Sequence, residues 1–349
     1  MNRLLIGLLT VISAASQTPQ EKATNLNNQA NRVADLGNYP EAERLYREAI
    51  EIFRSLGPAF EPHTAGTLVN LGIALSGDGQ RPAATKLFQE ALALHLRWLG
   101  NRNLRTVTNM NELATSYLMT GDPVRAAAMY REILPIEREL YPHDIQTART
   151  LEGLSYGLVR DGQGQQALQL AEEALDIAIK ATGEDSLDTA LAYSSVAESY
   201  RVLKSGDRAL PLYRKARALY EKALGPDHPR VASILSQEGL ILMRDGKFAL
   251  ADQSMMQSLK SLKKSCPGCA TELAIAESNL GLLRLRQRRY RDADEAFSTA
   301  IELREKAGVG TSPELADVLQ SLAVVRTKEN LPEDAARLNS RAALIRGYR

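Results

Sequence analysis

Residues 113–130, LATSYLMTGDPVRAAAMY, contain the pattern that identifies the fold of this chain. A large apolar residue and a small one, Leu113 and Ala114, are followed by Tyr117, Gly121 and Ala126. Side chains three and four residues apart lie on one face of a helix, and glycine tolerates the positive φ of a tight turn. The stretch therefore predicts two helices joined by a short turn at Gly121.

The same pattern recurs along the whole chain when the sequence is aligned on the alanine of this stretch. The interval is 42 residues, except for one interval of 41 whose missing residue falls in the loop 140–147. The aligned residues are Ala42, Ala84, Ala126, Ala167, Ala209, Ala251, Ala293 and Ala335. Repetition at a fixed period predicts eight helix–turn–helix units and sixteen helices.

Three further positions of the repeat carry shared residue types. The position four residues after the aligned alanine is mostly aromatic, the position twelve before it is small, and the position five before it is mostly glycine. A small residue facing a large one indicates a close crossing of two helices. The mostly aromatic position holds Tyr46, Phe88, Tyr130, Ala171, Tyr213, Met255, Phe297 and Asn339. The small position holds Ala30, Gly72, Ala114, Ser155, Ala197, Gly239, Gly281 and Ala323. The turn position holds Gly37, Gly79, Gly121, Gly162, Lys204, Gly246, Arg288 and Asn330.

The two ends of the array and its sixth unit depart from the pattern. Polar residues, Gln29 and Asn339, stand where the first and last units should be apolar. End units need a polar outer face because no neighbour covers them. In the sixth unit Glu238 takes the large apolar position, so we expect either that it pairs with a neighbouring arginine or that Leu240 replaces it in the core.

Composition indicates an ordinary folded helical protein. Of the 349 residues 44% are hydrophobic, 24% are charged and 5% are aromatic, and the formal net charge is +1. Proteins that bind nucleic acid usually carry a clear basic excess. The composition therefore gives no reason to expect a nucleic-acid partner.

The first sixteen residues differ from the rest of the chain. A basic start at Arg3 precedes an apolar stretch from Leu4 to Ile12 and the small residues 13–16. This order is typical of a secretory signal peptide, and the apolar stretch is shorter than the ~20 residues that span a bilayer. We therefore predict a signal peptide at 1–16, a linker at 17–22 and a repeat domain at 23–349. The mature chain is expected to be exported, periplasmic or secreted, with no membrane span.

The repeat resembles the tetratricopeptide repeat, on the residues Leu113-Ala114, Tyr117, Gly121, Ala126 and Tyr130. The period of 42 residues and the stretches 45–49 (LYREA) and 224–229 (LGPDHP) are similar to those of kinesin light chains. The resemblance implies an all-α, right-handed superhelical solenoid of eight repeats. It also implies a non-catalytic scaffold without a cofactor, which binds a protein or peptide on the concave face that the first helix of each pair lines.

Two sets of residues are candidates for that binding surface. Projection onto the first helices gives a polar set in the first half of the chain and a basic set in the second half. Guanidinium groups bind carboxylates through two hydrogen bonds, so the basic set favours an acidic peptide or a chain terminus, unless these are simply solvated surface charges. The candidates are Asn27, Asn31, Asn111, Thr115, Glu152, Tyr156, Arg160, Arg201, Arg244, Arg286 and Lys328.

Both cysteines of the chain lie in one short segment, Cys266-Pro267-Gly268-Cys269. In an exported protein this spacing favours a local disulfide. The alternative functions are thiol–disulfide exchange and metal binding with the help of His228 from the preceding repeat. Redox folds place this motif beside a sheet, which this sequence does not predict, and three ligands do not close a zinc site. We therefore expect a structural disulfide and no metal site.

No catalytic motif accompanies the repeats. The four histidines, His63, His95, His143 and His228, show no metal-ligand spacing. No nucleophile-elbow sequence and no glycine-rich phosphate loop after a strand occurs. Because sixteen helices use the whole chain after residue 22, no residues remain for a separate enzymatic domain.

Overall fold

The computed structural model describes residues 17–307 and 312–347 of the chain. Within these ranges it contains sixteen α-helices, one 3-10 turn at Pro58–Phe60 and no strand. The helices are α1 Pro19–Asp35, α2 Tyr39–Ser55, α3 Glu61–Gly77, α4 Arg81–Leu99, α5 Leu104–Met119, α6 Pro123–Leu140, α7 Ile145–Arg160, α8 Gly164–Thr182, α9 Leu187–Val202, α10 Gly206–Leu224, α11 Pro229–Arg244, α12 Phe248–Ser265, α13 Ala270–Arg286, α14 Tyr290–Lys306, α15 Pro313–Lys328 and α16 Pro332–Gly347. The prediction of sixteen helices is confirmed.

The chain forms two compact units that meet in sequence between Met129 and Tyr130, inside α6. From α1 to α5 in unit 1 and from α7 to α16 in unit 2, each helix packs against the next helix of the chain. The odd-numbered helices, called the first helices below, also pack side by side: α1 with α3 and α3 with α5 in unit 1, and α7 with α9, α11 with α13 and α13 with α15 in unit 2. Hairpins therefore stack in sequence order, as in a helical repeat solenoid.

The core of each unit is built from the repeat positions read in the sequence. The aligned alanines are fully buried from Ala42 to Ala293, and Ala335 is 5% exposed. At Gly72 an added Cβ would lie 2.6 Å from Cε1 of Phe88, and at Gly281 it would lie 2.7 Å from Cε1 of Phe297. The small position is thus required because the aromatic ring of the same hairpin occupies the space of a side chain.

The turn between the two helices of each hairpin has one backbone conformation throughout. All eight turn residues have positive φ, including Lys204 at 60°, Arg288 at 62° and Asn330 at 59°. A side chain in this region is strained relative to glycine. The turn position of the repeat is therefore defined by its positive φ and not by glycine, since three repeats adopt this conformation with another residue.

The ends agree with the prediction of polar terminal units. In α1 only Ala23 and Ala30 are buried, and Asn339 in α16 is exposed. The segment 17–22 differs from the linker that the sequence predicts, because α1 begins at Pro19. Thr18 and Glu21 form a reciprocal capping box there. The predicted signal peptide at 1–16 lies outside the described residues.

The sixth unit keeps its buried glutamate through an ion pair. Glu238 is 4% exposed, and Nε of Arg217 in α10 donates to its Oε1 at 3.0 Å. Burial raises the pKa of Glu238, although Arg217 opposes that shift. Of the two expected outcomes, pairing with a neighbouring arginine is therefore the one that occurs.

Candidate functional site

Six of the eight first helices begin at a side-chain cap, whereas α3 and α13 begin without one. Oδ1 of Asn103 accepts from the backbone N–H of Arg105 at 3.0 Å and starts α5. Ser186 and Ser312 cap α9 and α15 in the same way. Because each cap satisfies a free N–H of the first turn, the residues of that turn are held in place.

A cavity of about 390 Å³ lies on the first-helix face of unit 1. We define this face as the surface formed by α1, α3 and α5. Side chains of all three helices line the cavity, and Phe53 of α2 and His95 of α4 reach it from the second helices. Its volume falls within the ~300–1,000 Å³ that is usual for small-ligand sites.

His95 is the most buried polar side chain of the cavity lining, with 2% of its surface exposed. Nδ2 of Asn109 lies 3.5 Å from its Nδ1. Its Nε2 and Oδ1 of Asn109 have no hydrogen-bond partner among the described residues. Burial, with the charge of Arg105 adding to it, lowers the pKa of His95. The imidazole is therefore neutral at neutral pH.

Arg105 is the one lining residue of the cavity with a permanent charge. It is exposed and lies in the first turn of α5, which holds no acidic residue. The other titratable lining residues are His63 and His95. A cation is unfavourable at a helix N-terminus by roughly 0.3–1 kcal/mol. Along residues 17–307 and 312–347 no carboxylate forms an ion pair with Arg105 to offset this cost.

The predicted polar set divides between this cavity and other environments. Asn27 lines the cavity, where its Oδ1 accepts from Nδ2 of Asn70 at 3.1 Å. Asn31 instead accepts from the hydroxyl of Tyr46 at 2.6 Å and so joins α1 to α2. Asn111 is half-buried and Thr115 is exposed, both on α5. Only Asn27 of this set takes part in the cavity.

Unit 2 places Glu152 and Tyr156 one turn apart on α7. Tyr156 is 47% exposed, whereas Glu152 is 7% exposed. Burial and the nearby Asp188 raise the pKa of Glu152 to about 8, against the opposing charges of Arg149 and Arg230. This carboxyl is thus mostly protonated at neutral pH, and it is a hydrogen-bond donor as well as an acceptor.

The predicted basic set lies in the last turns of first helices, at one repeat position for four of its members and one residue earlier for Arg201. Cations are favoured there by the helix dipole. Arg160 pairs with Glu314 at 2.5 Å, Arg201 pairs with Glu198, and Arg244 lies 3.4 Å from Asp245. The remaining two residues of the set, on α13 and α15, are exposed: Arg286 and Lys328. Three of the five cations therefore already have a carboxylate partner, and their role in ligand binding stays a prediction.

Cys266 and Cys269 are joined in a disulfide at the end of α12, with a Cα–Cα distance of 5.3 Å. Nδ1 of His228 accepts from the backbone N–H of Arg230 at 3.1 Å and caps α11, so this atom already has a partner. No group of three or more side chains suited to a metal occurs in the described part of the chain. Nothing here supports the redox or metal alternative.

Sequence reasoning missed the two side chains that give the cavity its chemistry, His95 and Arg105. His95 stands eleven residues after its aligned alanine, at a position that holds Phe53, Ala178 and Leu262 in three other repeats. The remaining four repeats hold titratable residues there, Glu137, Tyr220, Arg304 and Arg346. The repeat pattern therefore gives no signal that singles out this histidine.

Among the residues that the structure describes, no helix is both long enough and apolar enough to cross a bilayer.

Comparison with family models gives matches along most of the repeat array. One tetratricopeptide repeat model matches residues 63–139 and 188–264, and a second matches residues 23–56 and 147–188. Together the matched ranges include more than half of the chain. They agree with the repeats that the alignment on alanine predicts.

Curated relatives are similar over about two thirds of the chain. Kinesin light chain-related protein 1 of Arabidopsis thaliana is 25% identical over 239 residues, which are 68% of this chain and 39% of the relative. A clustered mitochondria protein homolog of Candida albicans is 25% identical over 240 residues, 68% of this chain and 18% of the relative. The chain thus spans less than half the length of these relatives.

Solved structures share the fold at low identity. BtubC from P. vanneervenii is 21% identical with a TM-score of 0.53, covering 65% of this chain and 91% of that one. The apo quorum sensor NprR from B. thuringiensis is 13% identical with a TM-score of 0.71, covering 95% and 89%. A Rap protein complexed with Competence and Sporulation Factor is 14% identical with a TM-score of 0.62, covering 95% and 99%.

Proposed function

This chain belongs to the tetratricopeptide repeat family, and from that premise we propose that it is a non-catalytic scaffold that binds a peptide segment of a partner protein on its first-helix face. The observation that carries the proposal is the cavity of about 390 Å³ lined by three successive first helices. Helix stacks offer extended surfaces for partners in this way. The Rap protein that shares the fold was solved in complex with Competence and Sporulation Factor, which supports a ligand-binding role for a chain of this fold.

The lining of the cavity suits a peptide better than it suits a catalytic reaction. Amide and hydroxyl groups, Asn27, Asn70 and Thr108, stand beside the rings of Phe53 and His63, whose centroids are 5.4 Å apart. Asparagine side chains bond a peptide backbone through both donor and acceptor, and aromatic rings cover apolar side chains. Binding and orientation follow from these groups, and no pair of them forms the nucleophile and base of a covalent mechanism.

Gly66 offers a direct test, because it lines the cavity and a Cβ added there would meet no atom within 4 Å. Peptides are selected from a displayed random library with the full chain, and their affinities are measured by fluorescence anisotropy. We expect Gly66→Leu to fill the cavity and weaken these peptides at least tenfold. The variant should remain folded, since replacing a glycine inside a helix removes a cost of ~0.5–1 kcal/mol.

A matched control is Gly347→Leu at the end of α16, where an added Cβ also meets no atom within 4 Å. This variant should bind the selected peptides as the parent chain does. Equal affinity of the parent and the Gly66→Leu chain would place peptide binding elsewhere and contradict the proposal, as would a library from which no peptide is enriched.

A further inference from the structure

The turns inside three successive hairpins of unit 2 lie along one edge. These hairpins are α9–α10, α11–α12 and α13–α14. The first helices α11 and α13 pack side by side, and they run in the same direction because a second helix reverses the chain between them. A Cβ added to Gly206, at the start of α10, would overlap Nη2 of Arg244, at the end of α11. Nη1 of Arg284, in the last turns of α13, lies 2.5 Å from Oδ1 of Asp252 in α12. The three turns are therefore neighbours.

This edge is strongly basic in a chain whose formal net charge is only +1. The eight residues before the aligned alanine of each hairpin, 201–208, 243–250 and 285–292, are called the basic turn edge below. They contain nine lysines or arginines and three aspartates, which gives a net charge of +6. The corresponding residues of the first hairpin, 34–41, carry −2. The positive charge is thus a property of this edge and not of the repeat.

Most of these cations have no carboxylate nearby to balance them. Three of the nine pair with an acidic residue, namely Arg201, Arg244 and Arg289. Like charges on one surface repel each other, so a surface of this kind gains free energy when an anionic partner covers it. Along residues 17–307 and 312–347 the other six are exposed and form no ion pair: Lys204, Arg208, Lys247, Arg286, Arg288 and Arg291.

Two exposed apolar side chains among these cations narrow the choice of partner. Phe248 and Leu250 belong to the first turn of α12, in the middle hairpin, and are 38% and 51% exposed. At an anionic bilayer, basic residues bind the headgroups while apolar residues enter the boundary of the acyl chains. Nucleic acid offers phosphates to the same cations, but a leucine side chain has no ring on which a base stacks. The combination therefore favours a membrane surface.

We propose that the basic turn edge binds the surface of an anionic membrane, with its unpaired lysines and arginines on the lipid headgroups and with Phe248 and Leu250 in the boundary between headgroups and acyl chains. The attraction is mainly electrostatic and therefore weakens as salt is added. The residues of this edge are different from those that line the cavity of unit 1, so the inference does not depend on peptide binding.

Sedimentation of the full chain with lipid vesicles measures this binding. The vesicles are made of phosphatidylcholine alone, which is neutral, or of a two-to-one mixture with phosphatidylglycerol, which is anionic. We expect tighter binding to the mixed vesicles, and a loss of that preference at high salt. Any contribution of the apolar stretch 4–12 is common to both kinds of vesicle and to every variant, so the differences between them are the measurement.

A triple variant tests the cations of the third hairpin of the edge. Arg286→Gln, Arg288→Gln and Arg291→Gln together should weaken binding to the mixed vesicles at least tenfold, because each basic residue near an anionic bilayer strengthens binding roughly fivefold. Far-UV circular dichroism should stay that of the parent, since all three positions are exposed. A control variant of equal charge should bind as the parent does. It changes three exposed positions outside the edge: Arg32→Gln, Lys86→Gln and Lys306→Gln.

A polarity-sensitive dye tests whether the apolar side chains enter the bilayer. Both cysteines of the chain form the disulfide, so a single introduced cysteine is labelled alone in the absence of reductant. Dye on Leu250→Cys should brighten when mixed vesicles are added. Dye on the control Leu36→Cys, in the turn of the first hairpin and 85% exposed in the parent, should not change.

The outcomes decide between a membrane and other anionic partners. Equal binding to the two kinds of vesicle, an equal loss in the two triple variants, or no brightening at position 250 would each overturn the proposal. Tighter binding of single-stranded RNA or of polyglutamate than of mixed vesicles would also overturn it, and would assign the edge to nucleic acid or to an acidic protein. A preference for mixed vesicles that only the triple variant of the edge loses, together with brightening at position 250, supports it.

Discussion

The α4–α5 junction of unit 1 and the α14–α15 junction of unit 2 have the same place in the repeat and opposite electrostatics. His95 and Arg304 each stand eleven residues after an aligned alanine, and Arg105 and Glu314 each stand nine before a small residue. In unit 1 a neutral imidazole and a cation line a cavity. In unit 2 Arg304 is buried and lies near Glu314, which pairs with Arg160 at 2.5 Å.

The difference shows that the same junction of the repeat can leave a charge unpaired in one unit and hold an ion pair in another. Burial alone would raise the pKa of Glu314, but the bond from Arg160 and the charges of Arg160 and Arg304 outweigh it, so that its pKa is lowered. An acidic residue in the first turn of a helix is favourable, whereas a cation there is not. Unit 2 thus pairs the acidic residue of its junction with Arg160, although Nε of Arg304 has no hydrogen-bond partner among the described residues. Unit 1 leaves both the charge of Arg105 and the buried Nε2 of His95 without a partner there.

The largest effect is expected at Glu152, the buried carboxyl of the first helices of unit 2. Its pKa of about 8 exceeds the ordinary 4.5, so the folded chain holds this proton more tightly than the unfolded chain. The free energy of unfolding therefore falls as the pH rises from about 4.5 through 8. Each pKa unit corresponds to ~1.4 kcal/mol. Glu152→Gln, which is neutral at every pH, should be more stable than the parent at pH 9 by roughly 3–5 kcal/mol and equal to it at pH 4.

Urea unfolding at several pH values, followed by far-UV circular dichroism, measures this difference. Glu184→Gln, at an exposed position of the same unit, should not change the pH dependence. A parent chain whose stability did not decrease between pH 5 and pH 9 relative to the Glu152→Gln chain would show that Glu152 is ionised when buried.

A second change replaces two polar side chains at the α4–α5 junction of unit 1 with apolar ones. The double variant His95→Phe, Asn109→Ile uses residue types that other repeats hold at these positions, Phe53 and Ile234. It removes Nε2 of His95 and Oδ1 of Asn109, two buried atoms without partners in the described structure. We expect the free energy of unfolding, measured in urea, to rise by about 1–2 kcal/mol.

The opposite substitution in unit 2 is the control. Leu262 is 3% exposed and occupies the same repeat position as His95. Leu262→His places an imidazole there without the cavity, and it should destabilise the chain by about 1–3 kcal/mol in urea unfolding. Stabilisation by this variant, or destabilisation by the double variant in unit 1, would show that the two junctions do not differ in the way described.

The sequence predicted the helices and turns of the repeat well, because these features depend on residues within one hairpin. The positive φ at Lys204 and the packing of Phe88 on Gly72 follow from fixed offsets within one hairpin. The chemistry of the site depends instead on which side chains from different hairpins meet. Arg160 and Glu314 are 154 residues apart, and no periodic pattern indicates that they form a pair. Arg105 is likewise ordinary in sequence, and becomes significant only because no carboxylate of the described lining faces it.

The smallest effect is expected for the ion pair between Arg160 and Glu314. The exposed fractions of the two side chains are 42% and 35%, so water and salt screen their attraction. A double-mutant cycle with Arg160→Ala and Glu314→Ala should give a coupling energy of about 0.5–1 kcal/mol in urea unfolding at low salt, and less at 1 M salt. The more exposed pair Lys222–Asp185, with exposed fractions of 68% and 73%, should give a smaller coupling in the same cycle. If the Arg160–Glu314 coupling is zero while Glu314→Ala alone is strongly destabilising, Glu314 acts mainly on Arg304, and the junction of unit 2 is closed by its own two residues without help from α7.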